Sequence, residues 1–341
     1  MGELVHFPIF YPLVTSEAMP LGEAFALLYA STMKRILVTG ANGFVGQHLS
    51  KELADNGIEV VGVGGPRGAT EKSPYVTTYL ELDLTKPEDA KQIDFTNIDG
   101  VIHLAGLAAV DASFDEPMLY MNTNIGIQVN LFEAALAQKA SPRFLIISSG
   151  NLYDASAELP LTESSPVLAN SPYAVSKIGQ EQMTLYYQTR GFECITARPF
   201  NHIGPGQGLG FIVPDLAKQI IEVEKGSAGQ VMVGNLDAQR DYTDVRDIAR
   251  AYRLLLEKGS SGEIYNICSG QARSGHEILN GLLALSDHKP EVQPDPARLR
   301  PSDNPLIYGS HDKLTEATGW QPEISLETTF ADVMADWRSR V

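Results

Sequence analysis

Residues 170–177 read NSPYAVSK, which places Tyr173 and Lys177 four apart on a predicted helix and so on one of its faces. A free tyrosine ionises at about pH 10 and is a poor acid–base group at neutrality, but a lysine cation close by favours the phenolate. Its ionisation then moves toward the working range of a proton donor or acceptor. Upstream, the apolar run LIISSGNLY ends in Ser148 and Ser149, either of which supplies a hydroxyl that could hold an oxygen gaining or losing a proton. Ser171 is a natural helix cap and Pro172 suits the first turn, so the helix carrying Tyr173 and Lys177 has a defined start.

The second candidate feature is ILVTGANGFVG over residues 36–46. Gly40 permits the tight turn after a strand, Gly43 admits backbone amides to a pyrophosphate, and Gly46 lets the following helix pack close to the sheet. Asn42, Phe44 and Val45 lie in the same turn. Cofactor choice depends on the end of the second strand, where VVGVGGPRG offers no carboxylate for a ribose 2′-hydroxyl and supplies Arg67 for a 2′-phosphate. NADPH is therefore expected, with NADH tolerated because nothing repels it.

These groups need a scaffold that brings strand ends together. From Met33 onward, short β-branched runs alternate with amphipathic stretches of helical length, the pattern of a parallel sheet with crossover helices. Strands are expected at 35–39, 59–63, 77–82, 100–104, 143–148 and 192–198, and helices at 45–56, 118–139 and 173–190, with a short one near 87–92. The expected fold class is α/β: a doubly wound (Rossmann) sheet over 33–200 and a smaller C-terminal substrate lobe over 201–341, with 264–268 returning to the sheet. Residues 1–32 contain no Lys or Arg and are interrupted by Pro8, Pro12 and Pro20, which fits neither a signal nor a transit peptide. They are expected to be a non-native or disordered leader.

The Gly-x-x-Gly-x-x-Gly loop, the serine and the Tyr-x-x-x-Lys pair resemble the extended short-chain dehydrogenase/reductase family. The resemblance implies Ser149 as the catalytic hydroxyl beside Tyr173 and Lys177. It implies cofactor contacts at Asp83-Leu84, at Leu104-Ala105-Gly106, at Asn124 and at His202, and substrate contacts at Asn201, Lys218, Arg240, Arg300 and Asp303. Enzymes of the family that eliminate water carry acidic residues after the catalytic hydroxyl; here those positions are Gly150 and Asn151, which cannot transfer a proton. The segments FNHIGPGQ, AKQI, RDYTDVRDI and LRPS further resemble those of members that reduce the C4 ketone of GDP-4-keto-6-deoxy-D-mannose to GDP-D-rhamnose. A homodimer is also implied. The rival readings are a nucleotide-sugar 4-epimerase that retains NAD, and a non-catalytic nicotinamide-sensing protein.

Composition narrows the partners. The 341 residues carry 26 Lys+Arg against 42 Asp+Glu, a formal charge of −16 that repels nucleic acid where no basic run gathers. No apolar run is long enough to span a bilayer. Two cysteines, Cys194 and Cys268, are too few for a disulfide framework or a zinc site, so no metal and a reducing, cytoplasmic setting are expected.

Overall fold

A computed structural model describes residues 33–65, 72–154, 156–296 and 305–341. In the first half, β1 (Arg35–Thr39), α1 (Phe44–Asp55), β2 (Glu59–Gly64), β3 (Thr78–Glu81), α2 (Pro87–Ala90) and β4 (Gly100–His103) follow in order. Then come α3 (Val110–Asp115), α4 (Pro117–Tyr120), α5 (Gly126–Ala137), β5 (Arg143–Ile147), α6 (Pro172–Thr189) and β6 (Cys194–Pro199). The second half holds β7 (Asn201–Ile203), α7 (Ile212–Glu224), β8 (Gln230–Val233), β9 (Gln239–Asp244), α8 (Val245–Lys258) and β10 (Ile264–Ile267). It ends with β11 (Ala272–Ser274), α9 (Gly275–Leu283), β12 (Glu291–Pro294), β13 (Leu306–Ile307), α10 (Asp312–Thr318) and α11 (Leu326–Arg340).

The main sheet has seven parallel strands in the order β10-β6-β5-β4-β1-β2-β3, the doubly wound arrangement in which strand order reverses beside β1. Alternation along β1 sends Ile36 and Val38 to one face and Leu37 to the other, so both faces are covered. Leu49 and Leu53 of α1 and Ile248, Tyr252 and Leu255 of α8 cover the first. Leu131 and Phe132 of α5 and Tyr187 of α6 cover the second, where the Phe132 and Tyr187 rings stack at 4.2 Å. A separate core joins Val213, Ile220, Val231, Ile278, Leu282, Val333 and Trp337 in the smaller lobe, beside a mixed sheet centred on β9.

The second half of the chain thus serves two cores. α8, β10 and α10 return to the nucleotide-binding sheet, with Trp320 fully buried there, while α7, α9 and α11 build the lobe. One expected helix is broken. The stretch 118–139 starts as α4, passes through a π turn over Met121–Ile125 and resumes as α5. The cause is local: Pro117 opens a new turn, and Asn124 turns inward to bond the loop after β4 instead of facing outward. Among the described residues no helix is long and apolar enough to cross a membrane.

Candidate active site

A cavity of about 380 Å³ opens at the carboxyl ends of β1 and β4, where strand order reverses, and extends to β7. The glycine loop forms its floor. Gly40 takes φ 71° and donates its N–H to Val63 O at 2.7 Å, locking the loop onto β2. At Gly46 a Cβ would lie 2.1 Å from Gly40 O, so no larger residue lets α1 approach this closely. Gly43 stands at the start of α1 with no side-chain cap, and no acidic residue occupies the first turn. The turn therefore presents backbone N–H groups and the positive end of the helix to the cavity, a donor set that fits a pyrophosphate.

Three residues at the end of β5 meet three side chains of α6. Ser171 caps that helix by accepting from Ala174 N at 3.1 Å, and Pro172 fills its first turn. Tyr173 and Lys177 then point into the cavity with Ser149 opposite them. Ser149 Oγ accepts from Asn151 N at 3.1 Å and hydrogen-bonds the Tyr173 side chain. Ser148, the other candidate hydroxyl, is occupied: it donates to Glu181 Oε1 at 2.6 Å.

Burial holds the Tyr173 phenol above its ordinary value, and the Ser149 hydrogen bond pulls the other way. Lys177 was expected to set this balance. Its Nζ stands 5.9 Å from the Tyr173 ring centroid and donates to Ile147 O at 2.8 Å. Burial lowers the lysine itself to about 8, against the opposing charge of Glu181. The phenol thus stays protonated at neutral pH, which is the form a proton donor needs.

The loop after β4 is held from behind. Asn124, fully buried, accepts from Leu107 N at 2.7 Å and donates to Leu107 O and to Ser176 Oγ. Asn124 is thus spent on positioning this loop and α6, and is absent from the described cavity lining. Thr39 Oγ1 accepts from Ala105 N at 3.1 Å and pairs with His103 Nδ1 at 2.8 Å. Burial, then the Lys177 charge, push His103 down to about 3, so it remains neutral. On the far wall His202 stacks on Phe44 with centroids 6.1 Å apart, and burial lowers its pKa. Asn201 stands beside it.

Of the expected cofactor and substrate residues, Gly40, Gly43, Phe44, Val45, Gly46, Leu104, Gly106, Asn201 and His202 line the cavity with Ser149, Tyr173 and Lys177. Asn42 packs under Gly64 at the end of β2, and Ala105 packs into the core. Asp83 turns into its own loop, accepting from Thr85 N and Oγ1, and Leu84 is buried in the core. Lys218 pairs with Glu222 on its own helix at 2.7 Å. Arg240 lies on the same face of β9 as the cavity residue Tyr242, and burial lowers its pKa. Arg67, Arg300 and Asp303 fall outside the described residues, as do 1–32.

Sequence reasoning did not find Tyr252, which reaches the cavity from α8, nor the buried Glu181–Arg198 pair behind Ser148. Glu181 follows Lys177 by four residues, a spacing that is visible in the sequence. Tyr252 carries no such signal, because only the fold brings α8 under the nucleotide-binding sheet.

Residues 37–333 match the family described as GDP-mannose 4,6 dehydratase. The GDP-6-deoxy-D-mannose reductase of Pseudomonas aeruginosa is 36% identical over 314 residues, 90% of this chain and 98% of that protein. UDP-glucose 4-epimerase 2 of Arabidopsis thaliana is 29% identical over 90% of this chain and 95% of its own length. The solved structure of RMD from Pseudomonas aeruginosa complexed with NADPH superposes with a TM-score of 0.80 at 35% identity, over 90% of this chain and all of the other. The chain belongs to the GDP-mannose 4,6 dehydratase family and is an oxidoreductase with the extended short-chain dehydrogenase/reductase fold.

Proposed function

We propose that the protein reduces the C4 ketone of GDP-4-keto-6-deoxy-D-mannose to GDP-D-rhamnose, using NADPH and tolerating NADH. The coarser reading is that of a nucleotide-sugar reductase, supported by 36% identity to GDP-6-deoxy-D-mannose reductase over nearly the whole of both chains. The preference for reduction over dehydration rests on one observation. Among the described residues, no carboxylate lines the cavity. Dehydration needs a further acid and base to remove water from the sugar, whereas reduction needs one hydride and one proton. A Cβ at Gly150 would stand 2.9 Å from the Phe200 ring, so an acidic side chain has no room at that position.

The glycine loop and the start of α1 would hold the pyrophosphate, and Lys177 the nicotinamide ribose, consistent with the donors found there. When bound, NADPH supplies the hydride. Tyr173 donates its proton to the C4 oxygen as negative charge develops there, and Ser149 hydrogen-bonds that oxygen. Asn201, which lines the same cavity, would hold the sugar, and His202 beside it would lie near the nicotinamide.

We also place the protein in the cytoplasm, where the free, buried Cys194 and Cys268 stay reduced, and infer that it is a homodimer. Phe114, Met118 and Leu119 of α3 and α4 and Val175, Leu185 and Tyr186 of α6 are all exposed, on helices that touch one another, and a second copy would cover them. The functional reading is tested by mixing the protein with GDP-4-keto-6-deoxymannose and NADPH or NADH. Stoichiometric loss of dihydronicotinamide absorbance with GDP-D-rhamnose as product supports it. An epimerase would instead leave the cofactor balance unchanged.

A further inference from the structure

Behind the serine–tyrosine–lysine group lies a charged pair to which the reaction as described gives no part. Glu181 is 8% exposed, Arg198 4% and Ser148 3%, so all three are out of water. Glu181 Oε1 accepts from Ser148 Oγ at 2.6 Å and from Arg198 Nε at 2.8 Å, and its Oε2 accepts from Arg198 Nη2 at 2.7 Å. The guanidinium in turn lies 4.9 Å over the Tyr153 ring, whose hydroxyl donates to Asn266 Oδ1 on β10. A buried ion pair is a weak stabilising device, because desolvation offsets much of the attraction. Its position suggests a different use.

Tyr173, Lys177 and Glu181 are spaced four apart and form one stripe along α6. Each holds one residue of the β5 end in turn: Tyr173 bonds Ser149, Lys177 bonds Ile147 O, and Glu181 bonds Ser148. Ser149 cannot shift without its neighbours, and Ser148 is fixed by the carboxylate. We propose that Glu181 is a positioning residue for the reaction: braced by Arg198, it fixes Ser148 so that Ser149 is presented to Tyr173, and it sets its negative charge one helical turn from the Lys177 ammonium. The proposal rests on the reductase reading for its kinetic consequence, but its electrostatic part does not.

The groups that face this stripe are few. Glu181 and Tyr173 share the helix with Lys177, neutral His103 faces it from β4, and Arg198 stands behind on β6. Tyr252 from α8 and Tyr120 from α4 face Tyr173. Glu181 is the carboxylate that opposes the lowering of Lys177 by burial. Removing its charge also leaves Arg198 uncompensated, so both effects push the lysine further down.

Glu181→Gln and Ser148→Ala separate the two parts. The titration of the Lys177 side chain is followed by NMR in isotope-labelled protein without nucleotide, and kcat is followed against pH with GDP-4-keto-6-deoxymannose and NADPH. In Glu181→Gln, the lysine titration and the alkaline limb of kcat both move down by about one pH unit. In Ser148→Ala, which keeps the ion pair, both stay where they are, while kcat falls about tenfold with KM little changed. An unmoved lysine titration in Glu181→Gln, or wild-type kcat in Ser148→Ala, overturns the proposal. Should Glu181→Gln fail to fold, Ser148→Ala decides. A wild-type protein that turns over no keto sugar sinks the reductase reading instead, and the lysine titration still judges Glu181.

Discussion

At the scale of single residues, the proposed chemistry concentrates on the buried Tyr173 phenol and the Ser149 hydroxyl that hydrogen-bonds it. Tyr173→Phe removes only the transferable proton, so NADPH affinity should stay within about twofold of wild type while kcat falls by about 10²–10⁴, read by cofactor titration and steady-state assay. Near-normal turnover would remove Tyr173 from its role. His103 gives a stability prediction. Burial and the Lys177 charge depress it to about 3 from an ordinary value of 6.5. The unfolded chain therefore takes up a proton that the folded chain refuses, and stability present above pH 6.5 is lost as pH falls toward 3. At pH 5 the loss amounts to about 2 kcal/mol, and His103→Gln should flatten that part of a denaturation profile. The meeting of Ser149, Tyr173 and Lys177 in one cavity was legible in the sequence because a short motif on a capped helix and the end of one strand specify their places. That Asp83 Oδ1 would accept from Thr85, two residues on, was not legible from spacing.

At the scale of elements, the close approach of α1 to β1 decides whether the loop can take an anion. Gly46→Ala would drive a methyl group into Gly40 O and Ala41, backbone that cannot swing aside. It should destabilise the protein by about 1–3 kcal/mol and weaken NADPH binding at least tenfold, as measured by calorimetry. The seven strands of the main sheet were visible in the sequence to within one or two residues, because largely buried parallel strands read as short apolar runs, whereas the short strands of the smaller lobe, β7, β8, β9, β11, β12 and β13, were not. The π turn at Met121–Ile125 was not. It arises when Asn124 leaves the helical face to bond Leu107, a partner 17 residues away that no periodicity announces. Tyr252 escaped for the same reason, since a tyrosine on an amphipathic helix looks like ordinary core until the helix is placed.

At the scale of the whole molecule, a net charge of −16 coexists with a cavity that no described carboxylate lines. Negative charge is kept from the site where anions must bind, so repulsion of polyanions and binding of a nucleotide are compatible. The apolar face on α3, α4 and α6 leads to a further expectation. The wild type should sediment as a dimer at micromolar concentration, and Phe114→Asp with Met118→Asp should give a folded monomer; a wild-type monomer would contradict the inferred homodimer. The account as a whole depends on the direction of hydride flow. The most direct test is a single turnover with NADPH deuterated on its transferable position and GDP-4-keto-6-deoxymannose. The account predicts one cofactor oxidised per sugar and one deuterium at C4 of GDP-D-rhamnose. Unoxidised cofactor with an unlabelled sugar would contradict it.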